Sequence, residues 1–144
     1  MRNISKPAIL SAILLTFAGV FLWAQDQYNP DLDYAQVVYV KAVLRAESWT
    51  FSVTVRHRDE GWDHYADRWQ VLNPASGAVI GERTLLHPHE TEQPFTRSQS
   101  GIEIPADVSA VLVRAGCTKH GFGGAEVLVD LSNPGKTGLY EVVK

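Results

Sequence analysis

Apolar and polar residues alternate along most of this chain with a period of two. Val38, Val40, Ala42 and Leu44 fall on one face, opposite Val37, Lys41 and Arg45. After the turn AES, Trp49, Phe51, Val53 and Val55 alternate with Thr50, Ser52, Thr54 and Arg56, the clearest half-buried strand in the sequence. Further strands are predicted over 68–72, 79–86, 98–104, 108–115 and 125–131, with NPASG and PAD among the connecting turns. No stretch of useful length carries a helical period. Seven short strands joined by polar turns predict an all-β protein, an antiparallel β-sandwich of immunoglobulin-like type. Trp69, at the start of the third strand, is expected in its core. Residues 132–144 open with the turn formers SNPG and read as a C-terminal tail, either a short edge segment or a frayed end.

The alternation is absent from the first residues. Arg2 and Lys6 precede an apolar run from Pro7 to Trp23 interrupted only by Ser11 and Thr16. A positive start and a short apolar stretch predict a signal peptide over residues 1–24, with an uncleaved membrane anchor as the alternative. Residues 25–33 are polar and read as a tether, and residues 34–131 as the sandwich domain. The chain is then expected to be exported, periplasmic or secreted, touching a membrane only through an uncleaved N-terminal segment.

Composition narrows the classes. About 120 residues beyond the signal suffice for one domain with one core. The net charge of −3 comes with no basic stripe, which excludes nucleic acid as a partner. Cys117 is the only cysteine, so a disulfide scaffold is excluded and packing must hold the fold.

If successive strands run antiparallel, alternate connections lie at opposite ends of the sandwich. The turns AES, NPASG and PAD share one end. The other collects the stretch RHRDEGWDHYAD after the second strand, HPHETEQPF after Leu86, and CTKHGFGG after Gly116. Every histidine of the chain, His57, His64, His87, His89 and His120, falls in or beside these three loops. Clustered imidazoles suit Cu(II) or Zn(II). Pro88 holds His87 extended, so His87 and His89 are expected to face one ion from the same side of the chain, about 6–7 Å apart at Cα. His120, His57 or His64 would complete the set, with Asp63 or Glu90 adding a carboxylate or orienting an imidazole.

The alternative is a non-catalytic interaction module. There His, Asp and Arg networks hold the loops, and Trp62, Tyr65, Phe95 and Phe122 meet a protein or glycan partner. Arg97 with Glu92 or Glu90 reads as a strut across the second loop. No nucleophile elbow surrounds Ser98 or Ser100, and the acids of the first loop lack the alternation of an EF-hand, so neither catalysis nor calcium is indicated.

The segments HRDEGWDHYADRW, LLHPHETEQPFTRS and HGFGG resemble uncharacterised small exported bacterial proteins, over most of Trp49 to Leu131; that resemblance implies no activity. At loop level only, CTKHGFGG also resembles the copper loop of cupredoxins, in which a Cys and a His spaced like Cys117 and His120 close a blue-copper site. That resemblance would make both residues ligands, but the axial Met is missing: the only Met is Met1, and Gly123 stands near its place. With the axial ligand absent, Cys117 is expected instead to end the buried row of its strand.

Overall fold

The computed structural model describes residues 31–144. The expected signal peptide or anchor, residues 1–24, and residues 25–30 of the expected tether lie outside the described residues. Among the described residues there is no helix. Ten strands occur: β1 (Gln36–Arg45), β2 (Ser48–Arg56), β3 (Ala66–Leu72), β4 (Val79–Thr84), β5 (Phe95–Ile102), β6 (Ala110–Cys117), β7 (Gly121–Phe122), β8 (Val127–Asp130), β9 (Gly135–Lys136) and β10 (Tyr140–Val143). One sheet runs β5-β2-β1-β10-β9; the other runs β4-β3-β6-β7, with β8 also paired to β6.

Alternation does what the sequence demands of it. β2 buries Trp49, Phe51, Val53 and Val55 and leaves the residues between them half-buried. Trp69 and Val71 from β3, Val111, Val113 and Ala115 from β6, and Val127 and Val129 from β8 join them in one core between the sheets. Trp69 is fully buried, as expected.

Three differences from the expected pattern have local causes. In β1 the pairing with β2 slips between Val37 and Tyr39, so Val37 faces inward beside Val40 and Ala42, and Val38 does not. An extra residue at a bulge exchanges the two faces of the strand. The fifth strand begins at Phe95, three residues before its expected start, because Phe95 is itself a buried anchor paired with Val55. Lastly, residues 132–144 are no frayed tail. They form β9 and β10, and β10 pairs parallel with β1 at Val40↔Tyr140 and Ala42↔Val142, so the sheet is not purely antiparallel. Turn formers at 132–135 hide this from a local reading, since only β1 supplies the partner.

Val142 is buried in the core at the C-terminal end of the chain. Val142→Ala should therefore cost ~1–3 kcal/mol in urea denaturation, the value of a lost buried branched side chain. A cost below a few tenths would mean that β10 contributes little.

Candidate metal centre

Four segments meet at one end of the sandwich. The β2–β3 loop carries His57, Asp59, Glu60 and His64, the β4–β5 loop carries His87 and His89, and the β6–β7 turn carries His120 just after Cys117. The segment before β1 supplies Asp33. Backbone bonds stitch them together: Tyr65 and Thr118 are joined through Thr118 N to the Tyr65 carbonyl (3.0 Å), and Arg58 N donates to the Leu32 carbonyl (3.0 Å).

The segment around Asp33 is held from several sides. Gln36 Nε2 donates to the Asp31 carbonyl at 2.9 Å, and Asp33 N donates to the Asp31 carboxylate at 3.0 Å. The glycines of the HGFGG stretch let it lie flat on the connection after β7. A Cβ on Gly123 would meet the Tyr34 ring at 2.6 Å, and one on Gly124 would strike the Ala35 carbonyl. Residues 31–33, expected to be part of a tether, are thus folded into the site.

The Asp33 carbonyl oxygen is the point on which the site converges. His120 Nδ1 lies 2.9 Å from it, His57 Nε2 3.2 Å, His64 Nε2 3.3 Å and Cys117 Sγ 3.5 Å. His57, His64 and Cys117 are buried, and their ligating atoms lie within 4.8 Å of one another. The rings of His57 and His120 each meet the His64 ring edge-on, with centroids 4.8 Å apart. The backbone N–H of His120 donates to Cys117 Sγ at 3.2 Å, which turns the sulfur and the His120 imidazole toward the same point.

A carbonyl oxygen has two lone pairs and cannot accept from four donors. The tautomer of His57 sharpens the conflict. Its Nδ1 is 2.6 Å from the buried Asp59 carboxylate, which accepts the proton there. In the neutral ring Nε2 then carries a lone pair, aimed at another lone pair on the Asp33 oxygen. A proton on Nε2 or a cation at this point relieves that repulsion, and the His57/His64/Cys117 cluster can hold a metal ion. Zn takes imidazole nitrogen and thiolate donors, the atoms that His57, His64 and Cys117 bring within 4.8 Å of one another.

Carboxylates stand behind two of the imidazoles. Asp59 is buried and accepts from three groups: His57 Nδ1, Ala66 N at 3.0 Å and His89 N at 2.6 Å. Burial pushes its pKa up, but the hydrogen bonds from His57, His89 and Ala66 and the attraction to His57 outweigh burial and hold it below the ordinary carboxylate value. Glu60 Oε2 lies 4.0 Å from His64 Nδ1. The hydrogen bond with Asp59 fixes the His57 tautomer, whereas at 4.0 Å Glu60 is beyond hydrogen-bond reach of His64.

The residues expected to form the site divide. His57, His64 and His120 come together. His87 and His89 do face each other, with ring centroids 4.5 Å apart, but His87 Nδ1 and His89 Nε2 meet other partners, and His89 Nδ1 is buried without a hydrogen bond. The His89 ring stacks on Phe95 at 3.9 Å, and its Nε2 accepts from Arg97 at 2.9 Å, so this nitrogen is not open to an ion. Burial, then the neighbouring Arg97 and His87 charges, hold the His89 pKa below its usual value. His87 is exposed, and its Nδ1 lies 3.0 Å from the Pro88 carbonyl oxygen.

Asp63 and Glu90 are exposed; the carbonyl of Asp63 accepts from Thr118 Oγ1, and the carboxylate hydrogen-bonded to an imidazole of the cluster is that of Asp59. Arg97 is a strut to Glu92, as expected, at 3.1 Å. Trp62 is 67% exposed with Tyr65 edge-on to it, whereas Phe122 lies under Arg114 and Arg68, on Gly116. In the sequence, Cys117 reads as a ligand only through the copper-loop resemblance, and Asp59 and the Asp33 carbonyl are not placed in the cluster. The spacings Cys117-x-x-His120 and His57-x-Asp59 were visible, the second placing both side chains on one side of an extended segment; a main-chain carbonyl leaves no side-chain signal.

No family model matches the chain. It is 41% identical over 110 residues to a protein of Halomicrobium mukohataei described as "Putative lipoprotein", over 74% of this chain and 53% of that protein. The chain thus spans about half the length of the curated relative it matches. Among solved structures it is similar to superoxide reductase (1Fe-SOR) from Giardia intestinalis, with a TM-score of 0.37 and 15% identity, covering 67% of this chain and 99% of that one.

Proposed function

We propose that this is an exported, immunoglobulin-like β-sandwich protein that binds one Cu or Zn ion through His57, His64, His120 and Cys117. The convergence of four lone-pair-bearing atoms on a single carbonyl oxygen carries the reading. Three imidazoles and a thiolate suit Cu or Zn, and a backbone oxygen such as that of Asp33 is a known weak companion donor in copper sites. Export is supported by the apolar run after Lys6 and by the lipoprotein description of the Halomicrobium relative. The immunoglobulin-like part of the proposal rests on the strand order β5-β2-β1 facing β4-β3-β6-β8.

Bound Cu would give the site a one-electron couple, and bound Zn a Lewis acid. The chain's own residues do the rest. Asp59 holds the His57 proton on Nδ1 and leaves Nε2 free to bind. The His120 N–H orients the sulfur. The loops keep Cys117 and His57 buried.

Calorimetric titration of metal-free protein with Cu(II) and Zn(II) tests this. Binding of one ion per chain is expected at pH 7.5, with a sulfur-to-copper absorption band for Cu(II). Imidazoles bind only when neutral, so binding should weaken strongly as pH falls below the reference value of about 6.5. Weak, pH-independent heats without a band would return the loop end to a network that supports a protein or glycan partner at Trp62 and Tyr65.

A further inference from the structure

β4 and β5 are edge strands of the two sheets and lie against each other across the same side of the sandwich without pairing. A cavity of about 70 Å³ opens along this seam, lined by Arg83, Arg97, His87, His89 and residues 84–86. No carboxylate lines it. Its size is well below the roughly 300–1,000 Å³ of a pocket for an organic ligand.

The cationic groups are held in place, and not all are satisfied. Arg83 Nε is buried with no acceptor, and so is the indole Nε1 of Trp69, the residue that pairs with Arg83 across β3 and β4. A buried donor without an acceptor costs roughly 1–3 kcal/mol, which a bound anion would offset at Arg83. Arg97 is fixed beside the Phe95 ring, donates to His89 Nε2, and meets both oxygens of Glu92 at 3.1 and 3.4 Å. Glu92 itself is 57% exposed at the rim. An exposed carboxylate on a fixed guanidinium is what an incoming oxyanion could displace.

We propose that this seam is a second binding site, for a small inorganic oxyanion such as phosphate or sulfate, held between Arg83 and Arg97 in competition with Glu92. It shares no residue with the His57/His64/His120/Cys117 cluster, so either site can fail without the other. The purified metal-free protein would be titrated with sodium phosphate and with sodium sulfate at ionic strength held constant by NaCl, following heats and the ring protons of His87 and His89. Saturable binding is expected, weakened by ~10-fold or more in Arg83→Gln and strengthened several-fold in Glu92→Gln, shifts of about 1–2 kcal/mol by tenfold arithmetic. Chloride reproducing the shifts, or Glu92→Gln leaving the affinity unchanged, would overturn the site. If Arg83→Gln fails to fold, Arg97→Lys keeps the charge but loses the two-pronged geometry; unchanged affinity in that variant would equally refute it.

Discussion

Cys117→Ser should lower the affinity for Cu(II) or Zn(II) by more than about 100-fold, whereas His87→Ala with His89→Ala should leave it within a few-fold. Residues that only support a ligand usually cost 10–100-fold when removed, and Cys117 is a donor in the proposed set. Its sulfur lies 3.7 Å from His120 Nδ1 and 3.5 Å from the Asp33 oxygen, whereas His89 Nε2 is engaged by Arg97. The sequence led to the opposite expectation, with the His87–His89 pair as chelator and Cys117 as a small hydrophobe closing its row. In part Cys117 is that as well: it is 1% exposed and packs in the core, so the serine variant should lose only ~1–2 kcal/mol of metal-free stability. Calorimetry and urea denaturation on both variants separate the two roles. Loss of binding in the double histidine variant with full binding in Cys117→Ser would sink the assignment.

Asp59→Ala should cost ~3–5 kcal/mol of stability even without metal. The change strands three buried donors, the His57 imidazole N–H and the backbone N–H groups of Ala66 and His89. Asp59 thereby ties the first loop to β3 and to the second loop. The sign of the pH dependence follows from its lowered pKa. A carboxyl more acidic in the folded state stabilises fully above its unfolded value, near 3.9, and loses that contribution as pH falls through the lower folded value. The gap between parent and variant should therefore hold from pH 5 to 8 and narrow below about pH 4. The same variant should weaken metal binding by ~10–100-fold, because His57 loses the partner that fixes its tautomer. A cost under ~1 kcal/mol would show that the buried carboxylate is not the loop anchor inferred from its three bonds.

The all-β class, the strand faces of β2, β3 and β6, and the gathering of the loaded loops at one end were legible from the sequence. A period of two is a local property: it needs only the neighbouring residues to reveal which face is buried. The assembly of the site was legible only by type, as histidines at one end. Which of them meet depends on contacts between residues far apart in the chain. Asp33 and Cys117 are brought together across 84 positions, and Asp59 reaches His89 across 30.

Ring stacking also eludes a linear reading. His89 has the spacing of a chelator, but Phe95 on the next strand offers its face and Arg97 its donor, and these contacts take the imidazole. The inward turn of Val37 and the parallel docking of β10 escaped for the same reason, since a bulge and a parallel partner are settled by the neighbouring strand. The sequence by itself determined the all-β class, the buried face of β2 and the chemical stock of the loop end. Tertiary structure alone decided which atoms share a point, because a carbonyl, a thiol and three imidazoles converge only when three separate segments have been packed against one another.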